Sequence, residues 1–177
     1  MVNVAAKLLG LLPANRGVGG SSSTQTAALV ARHPPPPSQA YLLVVGLNDA
    51  RLHGPDPAGL ERYLAAVRSI LQALRAVQPD APTIVLEQPH LLDYSLHAPH
   101  NRGSDDVVDT YNAALREVAT SQPRTVVTVA SAWHPATMLA DDTVHPNDAG
   151  HAALGEAVAD AYRRSPWFIA STSPVHD

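Results

Sequence analysis

Apolar positions along this chain fall into two kinds of pattern. Short unbroken runs at Tyr41 to Gly46, Thr83 to Leu86 and Thr125 to Val129 read as strands buried on both faces, as parallel strands are. Between them, apolar residues recur at spacings of three and four. Leu60, Leu64, Val67, Leu71 and Leu74 do so across Pro57 to Val77, and Val108, Tyr111, Leu115 and Val118 across Asp105 to Thr120. Those spacings predict amphipathic helices. Pro146 to Arg163 predicts a last helix, with Pro146 in its first turn. Near the start, Val4 to Leu9 reads as the end of a helix and Leu11 to Arg16 as a short strand. Ser21 to Arg32 reads as a helix capped by Ser21, Ser22 or Ser23. Pro34 to Pro37 forces an extended stretch, and His90 to Gly103 and most of Ala132 to Val144 read as loops.

Strand and helix alternate with short connections. That order predicts an α/β fold of three layers, α/β/α, with a parallel sheet covered by helices on both faces. No internal repeat and no boundary interrupts the 177 residues, so they are expected to form a single domain. In such sheets ligands bind beyond the carboxyl ends of the strands. Candidate chemistry is therefore expected just after Arg16, Val45, Leu86 and Val129.

Composition narrows the chemistry. There is no cysteine, which excludes disulfides, thiolate zinc sites and a cysteine nucleophile without fixing a compartment. The net charge of −4 argues against a binder of nucleic acid or anionic membranes. Aromatic residues are only 5%, too few for a base-stacking platform. No apolar stretch reaches the roughly 18 residues of a transmembrane helix. Met1 to Ala14 faintly resembles a signal peptide, but Pro13 breaks its apolar run, and a short helix followed by a strand fits better.

Three features stand at the expected strand ends. Gly17-Val18-Gly19-Gly20-Ser21 is either a tight turn or a set of backbone N–H groups aimed at a ligand. Gly46-Leu47-Asn48-Asp49 offers an Asn amide that either stabilises an oxyanion or bonds its own turn. Asp142-Thr143-Val144-His145-Pro146 places a carboxylate three residues before a histidine. It can fix the imidazole tautomer and leave Nε2 free as a base, or it can cap the following helix.

Taken in order, these three blocks resemble the SGNH, or GDSL-type, serine hydrolases, and the likeness runs over most of the chain. Asn15 to Ser21 is similar to that family's glycine block, Gly46 to Asp49 to its asparagine block, and Asp142 to Pro146 to its acid–base block. Asn147 to His151 continues the family pattern into the last helix. The resemblance implies that Gly20 offers a backbone N–H and Asn48 a side-chain N–H to an oxyanion. It implies that His145 is the general base and then the acid, that Asp142 orients it, and that Asp49 is a structural partner at the loop. Its implied substrates are carboxylic esters: lipids, small esters or acetylated sugars. No cofactor is implied.

The family nucleophile sits in a Gly-Asp-Ser motif on a first strand, and the 177 residues contain no such motif. In the family's flavodoxin-like order, 2-1-3-4-5, that strand lies between the positions of Leu11–Arg16 and Tyr41–Gly46. It would fall before Met1, so the domain is expected to be incomplete at its N-terminus relative to the family. Direct pairing of the two neighbours, or insertion of Pro166 to Ser171, would close the gap. Ser21 is the candidate surrogate nucleophile, with Ser22 and Ser23 beside it and Ser171 or Ser173 available in a permuted sheet. The alternative is a non-catalytic binding or structural module that keeps the cleft. His90, His97, His100 and His134, with Glu87 and Asp93, lack the short fixed separations of a metal site. Some of these histidines are expected to line a polar substrate cleft, and no metal is assigned.

Overall fold

The computed structural model describes residues 1–171. Its elements, in chain order, are α1 (Val2–Leu9), α2 (Ser23–Arg32), β1 (Tyr41–Leu43), α3 (Leu47–His53), α4 (Pro57–Val77) and β2 (Thr83–Leu86). They continue with α5 (Asp105–Thr120), β3 (Thr125–Thr128), α6 (Pro135–Met138), α7 (Asp148–Arg164) and α8 (Pro166–Ser171). The three strands are parallel and lie in the order β1-β2-β3, with Tyr41 opposite Thr83 and Thr83 opposite Thr125.

Alternation along the strands divides the core in two. Tyr41, Leu43 and Val85 pack with Val67 and Leu71 of α4 and Val108 and Leu115 of α5. Ile84 and Leu86, with Leu42 and Val126, pack with Ala5 of α1 and Leu154 and Val158 of α7. Helices therefore cover both faces of the sheet. α4 starts where Asp56 accepts from the backbone N–H of Ala58 and Gly59, with Pro57 in the first turn. α2 starts at Ser22, whose hydroxyl accepts from Gln25 N while the Gln25 side chain accepts from Ser22 N.

Five sequence expectations need correction. Leu11 to Arg16 is not a strand. Gly10, at φ 68°, ends α1, Leu11 N turns back to Ala6 O, and Leu12 is 98% exposed. Pro13 has no N–H to give a ladder, and among the described residues the segment pairs with no strand. Direct pairing with β1 is excluded with it. The stretch Pro166–Ser171 is α8, not an inserted strand; Ser165 Oγ accepts from Phe168 N, and Phe168 meets Tyr162 edge-on at 5.2 Å. Ser173 lies outside the described residues. Pro146 precedes α7 rather than opening it, because it is held in a bridge to Leu139 and Asn147 takes the cap. The asparagine block is not a plain turn but opens the short helix α3. Finally, β3 is half-buried, since it is an edge strand.

β1 is the other edge. Tyr41 N donates to Pro82 O at 2.9 Å, so Tyr41 and Leu43 direct their backbone groups at β2. Leu42 must then direct its N–H and C=O outward. Among the described residues no strand pairs with that outer edge.

Candidate active site

The loop after α6 doubles back on itself. Leu139 bridges Pro146, Ala140 N donates to His145 O at 2.8 Å, and Thr143 N donates to Ala140 O at 2.9 Å. Asn147 fastens the base of this hairpin. Its Nδ2 donates to Thr137 O and Leu139 O, while its Oδ1 accepts from Gly150 N and caps α7. The turn needs a left-handed residue, and Thr143 supplies it at φ 62°, a strained conformation for a β-branched side chain.

Asp142 is the centre of the turn. One carboxylate oxygen accepts from Val144 N at 3.0 Å and His145 N at 2.8 Å. The other accepts from His145 Nδ1 at 2.6 Å. That bond assigns the proton to Nδ1 and leaves Nε2 as the acceptor. The His145 side chain is 76% exposed, so the imidazole is open to solvent. The His145 backbone N–H, then its imidazole, then the Val144 N–H hold the Asp142 carboxyl well below the usual carboxylate range. Asp142 does not cap the following helix: it accepts from backbone N–H groups of its own turn, and Asn147 caps α7.

The glycine and asparagine blocks meet through two neighbouring side chains of α3. Asn48 Nδ2 donates to Ser21 O at 2.9 Å. Asp49, 1% exposed, accepts from Ser23 N at 2.9 Å and Ser23 Oγ at 2.7 Å. Burial pushes the Asp49 carboxyl up, and the Ser23 hydrogen bonds oppose the shift. Gly46 precedes them at φ 123°, and a Cβ there would meet the Tyr63 hydroxyl at 2.9 Å, so only glycine fits. Gly20 also needs a positive φ, 75°. A cleft of about 440 Å³ opens beside Gly20 and Ser21, with Gln25, Leu29 and Arg32 of α2 along one side. A cleft of about 400 Å³ lies at the other end of the sheet, against Gln39 and Ala81, away from these groups.

Of the three adjacent serines, Ser22 is spent on its cap and Ser23 on Asp49. The Ser21 hydroxyl forms no hydrogen bond with any described residue. Apolar packing draws the two halves of the site together: Leu47, the first residue of α3, packs with Leu91, Leu139 and Val144.

The loop histidines do not converge. His90 Nε2 meets Asp109 at 2.7 Å on α5, His97 Nε2 meets Asp142 O at 3.2 Å, and His134 caps α6. Glu87 is bound by Arg116 through two bonds of 2.8 Å, and Asp93 by Ser95. Among the described residues no group of three or more such side chains could hold a metal ion. Sequence reasoning did not single out Arg51, three residues beyond Asn48 on α3 and 4% exposed. Nothing in its sequence neighbourhood marks a buried arginine.

Residues 2–153 match the model of the GDSL-like lipase/acylhydrolase family. No curated protein matches the chain. Among solved structures, a Streptococcus pneumonia protein named for platelet activating factor superposes with a TM-score of 0.72 at 18% identity, over 88% of this chain and 75% of its own. A carbohydrate esterase of family 3 from Talaromyces cellulolyticus gives 0.64 at 20% identity, over 93% and 75%. An acetyl esterase with a serine replaced by alanine and an acetate ion bound gives 0.65 at 18% identity, over 93% and 75%. At these identities the superpositions establish a shared fold.

Proposed function

The chain belongs to the GDSL-like lipase/acylhydrolase family, and from that premise we propose that its site hydrolyses carboxylic esters by acyl transfer to a serine. The observation that carries this reading is the 2.6 Å bond from His145 Nδ1 to Asp142, with Nε2 left open. His145 Nε2 takes the serine proton as the serine oxygen attacks the ester carbonyl, and then returns that proton to the leaving alcohol. Water repeats the sequence and frees the acid. The Gly20 N–H and the second hydrogen on Asn48 Nδ2 stabilise the oxyanion; the first is already given to Ser21 O. Acetyl esters are the first substrates to try, because the structural neighbours include an acetyl esterase and a carbohydrate esterase.

Two sources of the serine fit. Ser21 lies next to Gly20 with an uncommitted hydroxyl. The other source is a strand laid parallel along the outer edge of β1, ending at the same end of the sheet as Asn48. The family's Gly-Asp-Ser strand takes that place in the 2-1-3-4-5 order. The absence of Gly-Asp-Ser from the 177 residues favours a second reading, a binding module that keeps the cleft without turnover.

Intact mass after incubation with a fluorophosphonate, followed by peptide mapping, separates these readings. A single adduct on Ser21, lost in His145→Ala, supports hydrolysis by this chain alone. No adduct, with the chain folded, sinks that and leaves the added strand or the binding module. An adduct that forms only when a strand peptide containing Gly-Asp-Ser is supplied identifies the former.

A further inference from the structure

Arg51 is a buried cation that makes no ion pair with any described residue. Its side chain is nearly inaccessible, at 4% exposure, and among the described residues no carboxylate lies within ion-pair distance of it. Its Nε is buried with no hydrogen-bond partner. Burial lowers the guanidinium's affinity for its proton; Tyr94 and then Asp142 act in the opposite sense. A buried, unneutralised charge is expensive, and an apolar side chain of similar volume would be the more stable occupant. Stability alone therefore does not account for an arginine at this place.

What Arg51 does touch is the loop that leads to the acid. Its Nη2 donates to Leu96 O at 3.2 Å, and its own backbone carbonyl accepts from Arg102 N at 2.8 Å. One residue of α3 thus holds both ends of the segment from Leu96 to Arg102. Gly103 packs against its stem: a Cβ there would meet Arg51 Cγ at 3.1 Å and Tyr94 Cδ1 at 2.7 Å. Within the held segment, His100 N donates to His97 O, and His97 sits at φ 65°. From that turn His97 Nε2–H donates to the backbone carbonyl of Asp142 at 3.2 Å.

We propose that Arg51 is a positioning residue for the Asp142–His145 pair, acting through the Leu96–Arg102 segment and His97. The proposal rests on the hydrolase reading of that pair. The segment grips the backbone of Asp142, while the carboxylate of Asp142 grips Val144, His145 and the imidazole. The groups facing the pair are then Arg51 from α3, His97 from the segment and His151 from α7, which lies close enough to His145 to feel its charge. Asn48 and Arg51 are three apart on α3, so one short helix positions both the oxyanion donor and the acid.

The test is an NMR comparison of wild type with Arg51→Met, Arg51→Lys and His97→Ala. In Arg51→Met the amide resonances of Val144 and His145 are expected to shift and broaden, and the Asp142 carboxyl midpoint to rise. Arg51→Lys is expected to restore part of both. His97→Ala, at an exposed position, is expected to reproduce the amide changes with the fold unaltered, which tests the last link to Asp142, and Arg51→Lys carries the test of Arg51 if Arg51→Met does not fold. With an ester that the wild type turns over, kcat is expected to fall about tenfold or more in both variants, with KM unchanged. Folded variants whose Val144 and His145 amides match the wild type overturn the proposal. A wild type that takes no fluorophosphonate and turns over no ester, with or without an added Gly-Asp-Ser strand peptide, instead removes the hydrolase reading, and the amide comparison still decides whether Arg51 positions the turn.

Discussion

At the scale of residues, two aspartates respond to their surroundings in opposite directions. Asp142, stabilised as a carboxylate by three donors, has a folded pKa below its unfolded value. Its contribution to stability is complete above about pH 4 and is lost as pH falls through the lower folded value. The melting-temperature gap between wild type and Asp142→Asn is therefore expected to narrow as pH drops below about 4. Asp49 has its pKa raised by burial, so its ionisation weakens the fold as pH rises through that higher value. Its hydrogen bonds still matter more than its charge. Asp49→Ala strands two buried donors of Ser23, at about 1–3 kcal/mol each, and chemical denaturation is expected to show a loss of about 2–6 kcal/mol. Asn48→Ala removes the proposed oxyanion donor and the anchor on Ser21, and ester turnover is expected to fall about 10²-fold or more.

Among elements, the long and strongly periodic ones were the legible ones. α4, α5 and β2 have the bounds that apolar spacing predicts, because each buries one continuous stripe or run. The contact between Asp142 and His145 is legible for a different reason: a carboxylate three residues before a histidine has few ways to fold. What local pattern does not carry is partnership. Leu11–Arg16 has, among the described residues, no strand to pair with; α3 is short enough that its residues also read as a turn; Arg51 is buried by a distant loop. Close approach between helices is similarly hidden. At Gly155 a Cβ would lie 2.7 Å from Val4, where α1 crosses α7. Gly155→Ala is expected to cost about 1–3 kcal/mol in thermal or denaturant unfolding by forcing these helices apart.

For the whole molecule, helices cover both faces of the sheet, while among the described residues no strand pairs with the outer edge of β1. Natural sheets protect such an edge with lysine, proline or a bulge, and Tyr41-Leu42-Leu43-Val44 has none of these, with Val44 38% exposed. An unprotected row of backbone donors and acceptors recruits whatever extended chain is near, another copy included. Turbidity of the purified chain is therefore expected to rise steeply with its concentration at temperatures far below melting. A gatekeeper such as Val44→Lys should delay that onset in light scattering while leaving the melting temperature unchanged. The shelf life of a solution of this protein is then set by how many edges meet, and dilution preserves it better than cold.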